Sequence, residues 1–271
     1  MQAPDIGATG TGAATGSRSA TPATKHAVAA TPISNIRLDA LLTALDTPPA
    51  DRARVVSFCN VHSVMSARRS EELATALADS DIAAPDGMPV AWWMRAVHGL
   101  AQPRVYGPGA MDAALRFGVE RGWRHFVYGS TEETLAGLRD RVAVTYPGAA
   151  ICGMYAPPFR PLSDEEEADV VRRIAAARPT VVWVGLGMPK QELWMHRVRD
   201  RLPGMSLMGV GAAFDMLAGR VSQAPQWMRD TGLEWVYRLA QEPRRLWRRY
   251  AFNNPVFLLL LLRELMVGRR G

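Results

Sequence analysis

Between Arg54 and Asp215, short apolar runs alternate with stretches of helical spacing, and this alternation restricts the fold more than any other feature of the chain. The runs are RVVSFC, RVYG, HFVYGS, AAICGMY, TVVWVGLG and SLMGVGAAFD; between them lie AMDAALRFGVERG, STEETLAGLRDRVAVTYPG and LSDEEEADVVRRIAAARP. Ser130 and Ser163 are predicted N-caps, with Glu133 and Glu166 completing capping boxes. Strand, helix and strand in steady succession require crossover connections. They predict an α/β domain around a mostly parallel sheet covered on both faces.

Ligands of such sheets are held beyond the carboxyl ends of the strands. Four predicted ends are glycine-rich: YGPG at 106–109, YGS at 128–130 with Gly129, VGLG at 184–187 with Gly185 and Gly187, and GVGA at 209–212. Any one of these reads most simply as a tight turn. Four in one sheet favour a nucleotide or sugar-nucleotide site, because glycine lets backbone approach a phosphate closely. None matches G-x-G-x-x-G or G-x-x-x-x-G-K-[ST], which weakens dinucleotide and P-loop readings. After VGLG comes MPKQE, where Lys190 and Glu192 are expected to form a solvated first turn.

Composition bounds the partners. With 48% hydrophobic residues a sizeable core is assured. The two cysteines, Cys59 and Cys152, both lie in apolar contexts and form neither a disulfide framework nor a metal spacing. Net charge is +6, yet from Arg229 onward nine Arg face four acidic residues, so that tail alone carries +5. A basic end beside an apolar one points to an anionic surface or substrate rather than nucleic acid. Residues 1–33 are rich in Ala, Thr and Gly and lack the apolar stretch of a secretory signal, so they read as an unstructured leader.

Asp86 lies in DIAAPDGMPVAWW, on an Asp-Gly turn bracketed by Pro85 and Pro89. Taken alone it is a plain turn aspartate sooner than a general base. Asp79-Ser-Asp81 has metal-binding spacing but ends a helical pattern, which favours a solvated helix terminus; the five scattered His show no ligand spacing, so no metal and no cofactor are expected. Asn60, after RVVSFC, is placed to orient a ligand hydroxyl, whereas His62 reads equally as a core residue.

The C-terminal segment TGLEWVYRLAQEPRRLWRRYAFNNPVFLLLLLREL is expected to form three short helices broken at Pro243 and Pro255. In the second, Arg245, Arg248 and Arg249 share one face, with Leu246, Trp247 and Tyr250 nearer the other. The leucines that follow need a partner chain, such as a second copy, or lipid to cover them. No continuous apolar run reaches the length of a membrane span.

Several blocks together resemble one family. FCNVH, PDGMP, VGLGMPKQE, GVGAAFDMLAG, APQWM and GLEWVYRLAQEPRRLWRRY are similar to the WecG/TagA/CpsF bacterial glycosyltransferases (glycosyltransferase family 26), over about residues 33–267. The resemblance implies a single Rossmann-like domain (34–230) with a helical, membrane-associating appendage (231–271). It implies metal-independent, inverting transfer from a UDP-sugar to a polyprenyl-diphosphate-linked saccharide at the inner leaflet, in the cytoplasm. By that similarity Asp86 matches the general base. Asn60 and Gln191 match residues near the donor, Arg104 an arginine near the site, and Arg238, Arg245 and Arg248 appendage arginines reaching the diphosphate. Phe58 stands where members using N-acetylmannosamine have Thr, and Gly107-Pro108-Gly109 where they read Gly-Ser-Asp; the resemblance then leans to exopolysaccharide members with another donor, UDP-glucose included. Two other classes stay open: a non-catalytic nucleotide- or sugar-phosphate-binding regulator, and a peripheral membrane scaffold.

Overall fold

The computed structural model describes residues 23–268. A hairpin comes first, with β1 (Lys25–Val28) antiparallel to β2 (Thr31–Ser34). The expected leader is therefore corrected at its end: residues 1–22 lie outside the described residues, but 25–34 are paired, and Val28 and Ile33 are fully buried. Two apolar side chains anchor this hairpin, and its turn runs through Ala29 and Ala30 at φ 45° and 75°. Alanine does not announce a left-handed turn, so the pattern was hidden.

The chain continues through α1 (Leu38–Leu45), β3 (Arg54–Cys59), α2 (Val61–Ala67), α3 (Glu71–Asp79), β4 (Ile82–Pro85), α4 (Met88–His98), α5 (Gly107–Phe117) and β5 (Arg124–Gly129). It then forms α6 (Glu132–Thr145), β6 (Ala150–Tyr155), α7 (Asp164–Ala177), β7 (Val181–Gly185), α8 (Lys190–Val198), β8 (Ser206–Gly209) and α9 (Ala213–Leu217). Three helices close it: α10 (Gln226–Asp230), α11 (Glu234–Gln241) and α12 (Pro243–Gly268). Among the described residues the main sheet has six strands, all parallel, in the order β4-β3-β8-β7-β5-β6. The Rossmann-like α/β expectation holds. After β4 the chain leaves one edge and resumes at β5 in the other half, which puts the crevice over the carboxyl ends of β3, β8 and β7.

Alternate strand residues face opposite layers. Val56, Val127, Trp183 and Met208 pack beneath α1, α5, α6 and α9, while Val55, Phe126, Val182 and Leu207 meet α7 and α8. Each fully buried aliphatic side chain contributes roughly 1.5–3 kcal/mol, so these two layers carry the fold. A third cluster joins the hairpin, α2, α3, α4 and Phe257 of α12.

Three local expectations change. RVYG is not a strand: Val105 N–H donates one bond to Pro85 O, and α5 starts at Gly107. The strand of that region is IAAP, four residues, all buried, whose alanines and terminal proline made it look like a loop. The cap of α6 is Thr131, whose side chain accepts from Thr134 N–H; Ser130 sits outside at φ 61°, and Glu133 pairs with Arg220 instead. Ser163 and Glu166 do form the predicted capping box.

The appendage differs as well. α12 runs unbroken through Pro255. Leu246, Asn253 and Phe257 lie on its inner side, and their docking on α2 and α4 holds both sides of the proline in line. Within it, Leu246–Val267 is long and apolar enough to cross a membrane by length and composition, at mean hydropathy 1.3. The polar Asn253 and Asn254 and Arg263 interrupt the run without lowering its average enough to exclude a span.

Candidate active site

A cleft of about 550 Å³ opens at the carboxyl ends of β3, β8 and β7, within the size range of small-ligand sites. Asp86 enters it from the end of β4, where its N–H donates to Cys59 O at 2.9 Å and extends the β3–β4 ladder. Gly87, at φ 100°, turns the chain at once into α4, a conformation a side chain would strain. The carboxylate is thus fixed on a short, stiff corner.

Burial pushes the Asp86 carboxyl above the usual carboxylate range; Arg104 opposes this, Glu234 adds to it and Arg238 opposes it. Arg104 Nε and Nη2 each lie 3.5 Å from Asp86 Oδ1, and Nη2 lies 2.6 Å from Glu234 Oε2 on α11. The guanidinium also stacks 4.3 Å over the Tyr106 ring, whose hydroxyl accepts from Arg229 Nη1 at 2.7 Å. Among the described residues four arginines line the cleft: Arg104 from the core and Arg229, Arg238 and Arg249 from the C-terminal helices.

Asn60 caps α2. Its Oδ1 accepts from His62 N–H, Ser63 N–H and, at 3.3 Å, Arg249 Nη2. The tail is therefore bonded to the residue expected near the donor. Next to it, burial first, then Arg249 and Arg69, push His62 down to about 4, so its neutral Nδ1 takes a bond from Asn253 Nδ2 at 3.1 Å. Gln191 is buried, and its amide spans two strand ends: Nε2 donates to Gly209 O and Oε1 accepts from Gly187 N–H.

The cleft brings together Asp86, Asn60, Arg104, Gly187, Gln191 and Arg238. It leaves out three of the predicted residues. Gly129 and Gly185 pack where strands touch: a Cβ on Gly129 would lie 2.5 Å from Gly185 O, and one on Gly185 would lie 2.4 Å from the Phe214 ring. Their missing side chains serve packing. Arg248 is exposed and lies over Trp247. The side chain of Arg245 is outside the described residues. Helical phase explains why Arg249 rather than Arg248 lines the cleft, because Arg249 and Tyr250 follow buried Leu246 by three and four positions and precede Asn253 by the same steps, while Arg248 does not.

Of the expected solvated first turn, Lys190 is exposed but Glu192 is not. It is 2% exposed and lines the cleft, and burial raises its carboxyl to about 7. Its spacing of three from Met195 on the buried face of α8 was the available signal. Glu234, Arg229 and Trp235 also went unread, since nothing local in the sequence aims them at the sheet. Asp81 is consumed by Arg52, Arg199 and Val55 N–H, so the D-x-D spacing has a structural use. Among the described residues no group of three or more His, Cys, Asp or Glu is arranged to hold an ion.

A family model, described as the glycosyl transferase WecG/TagA/CpsF family, matches residues 26–271. The chain belongs to this family. It is 29% identical over 235 residues to the N-acetylglucosaminyldiphosphoundecaprenol N-acetyl-beta-D-mannosaminyltransferase of Bacillus subtilis (strain 168), covering 86% of this chain and 89% of that protein. A protein of the same name from Bacillus spizizenii (strain W23) is 32% identical over 188 residues, 69% of this chain and 70% of its own length. As a WecG/TagA/CpsF member the chain is a glycosyltransferase, and the match takes in both the β1–β2 hairpin and the appendage.

Proposed function

We propose that this glycosyltransferase moves a hexosyl group from a UDP-sugar to a saccharide carried on polyprenyl diphosphate, with inversion, in exopolysaccharide or other cell-envelope polysaccharide synthesis. The observation that carries the reading is the half-buried carboxylate of Asp86, sharing a cleft with guanidinium groups from both the core and the tail. Asp86 takes the proton of the acceptor hydroxyl as that oxygen attacks the anomeric carbon. The bond from that carbon to the UDP oxygen breaks, and negative charge grows on the β-phosphate. Arg104, Arg229, Arg238 and Arg249 supply fixed positive charge for it, the role a divalent ion plays elsewhere. A raised affinity for protons makes Asp86 the stronger base.

Inversion follows from a single displacement with one base. The relatives' names describe a beta-linked product, and UDP-hexoses carry the sugar in the α configuration, so their stereochemistry agrees. Phe58, 6% exposed, lines the cleft where members using N-acetylmannosamine have Thr, whereas both named relatives are N-acetyl-beta-D-mannosaminyltransferases, so the donor panel includes that sugar. The acceptor's lipid brings the enzyme to the inner leaflet as a peripheral protein. α12 suits that position, with one face docked on the core and the other bare and apolar: Phe252, Val256, Leu259 and Met266 are 67%, 45%, 65% and 61% exposed.

The test is UDP release across a panel of UDP-sugars with a short-chain lipid-diphosphate acceptor. Asp86→Asn should lose roughly 10²–10⁴-fold in turnover while still binding UDP. Full turnover by that variant would overturn the assignment; UDP binding with no transfer by the native chain would favour a regulator.

A further inference from the structure

The carboxyl group of Glu192 is only half satisfied. Its Oε1 accepts from Gln191 Nε2 at 2.9 Å, but Oε2 is buried and has no hydrogen-bond partner among the described residues. Gln191 cannot supply one. Its two amide hydrogens are spent on Glu192 Oε1 and Gly209 O, and its own oxygen is engaged by Gly187 N–H. The amide thereby fixes the ends of β7 and β8, while Glu192, also lining the cleft, carries the unsatisfied atom. Burial raises the Cys59 thiol at the end of β3, and Glu192 and then Asp86 raise it further; both carboxyl groups line the same cleft.

A buried polar atom left open beside a cleft is completed by water or by a ligand that enters it. The arginines already provide for the diphosphate, which an ionised carboxyl would repel. Hydroxyl or amide hydrogens come from the uridine, which UDP itself carries, and from the transferred sugar, which is the part that reacts beside Asp86. We propose that Glu192 is a specificity residue whose Oε2 hydrogen-bonds a hydroxyl or acetamido N–H of the donor sugar. This rests on the UDP-sugar reading above.

Calorimetric titration of the full chain with UDP, UDP-glucose, UDP-N-acetylglucosamine and UDP-N-acetylmannosamine tests it. Glu192→Ala should weaken the tightest-binding UDP-sugar about tenfold or more, a change of about 1.4 kcal/mol, and leave UDP within about twofold. Glu192→Gln, which keeps the shape, should weaken it less, and carries the test if the alanine variant does not fold. Equal losses for UDP and UDP-sugar, or no loss for either, would overturn the role of Glu192 while leaving the donor reading in place. A native chain that binds none of the four ligands would overturn both.

Discussion

Arg104 and Glu234 are joined at 2.6 Å, with side chains only 12% and 21% exposed, and this pair ties the first turn of α11 to the corner that holds Asp86. The tail is thereby an electrostatic part of the corner that holds Asp86. Because Arg104 also reaches Asp86, that carboxyl feels a nearby cation and, behind it, a second carboxylate.

That arrangement predicts opposite shifts in the pH profile of kcat/KM. With Asp86 as the proposed base, activity requires its ionised form, so it is present above the pKa of that group and lost as pH falls through it. Burial sets that pKa above the usual carboxylate range, Arg104 lowers it and Glu234 raises it. Arg104→Gln should therefore move the acid limb to higher pH, and Glu234→Gln should move it to lower pH. Limbs shifted in the same direction would show that the two residues do not act on Asp86 as described.

Gly185→Ala should destabilise the protein by about 1–3 kcal/mol through overpacking, read as a lower denaturant midpoint. The new methyl would press on the Phe214 ring, which is buried. UDP affinity of the folded variant should stay at the native value. A selective loss of UDP affinity with an unchanged midpoint would return Gly185 to the ligand site.

How far the sequence reached follows from which interactions are local. The strands VVSFC, HFVYG and VVWVG announced themselves by apolar runs, and Ser163 by a capping box four residues long, because those signals lie within one element. β4 and the hairpin did not, since alanines in strands and in a left-handed turn carry no pattern and are fixed by neighbours distant in the chain. Asp86, Asn60, Arg104 and Gln191 came from motif resemblance and share the cleft. Glu234 and Arg249 reach it only because α11 and α12 fold back across the sheet, a tertiary fact. Gly129 and Gly185 misled because one residue type serves both ligand approach and strand packing.

Glu192 should make stability fall as pH rises through neutrality. Its carboxyl titrates near 4.5 when exposed and is raised to about 7 in the fold by burial. The folded state thus holds a proton that the unfolded chain gives up. The stabilisation is complete below about pH 4.5 and lost as pH rises through about 7. By linkage the loss is of order 3 kcal/mol. Denaturant titrations at pH 5 and pH 8 should show this difference in the native chain and a much smaller one in Glu192→Gln. Equal pH dependence in both would mean that Glu192 is ionised throughout.

The two faces of α12 should respond differently to substitution. Phe257 is 1% exposed and lies 5.3 Å from the Trp93 ring, so Phe257→Ala should cost about 3–5 kcal/mol of stability by leaving a cavity. Leu258, Leu259 and Leu262 are 49%, 65% and 56% exposed, and replacing all three with Ser should leave the denaturant midpoint nearly unchanged. The same triple variant should lose at least about tenfold in binding to vesicles of phosphatidylglycerol and phosphatidylethanolamine, since three leucines give up apolar burial in the headgroup region. Transfer to a soluble short-chain acceptor should persist, because none of the three lines the cleft. Native vesicle binding by the triple variant would mean that lipid does not cover this face, and sedimentation of native and variant chains would then show whether a second copy does.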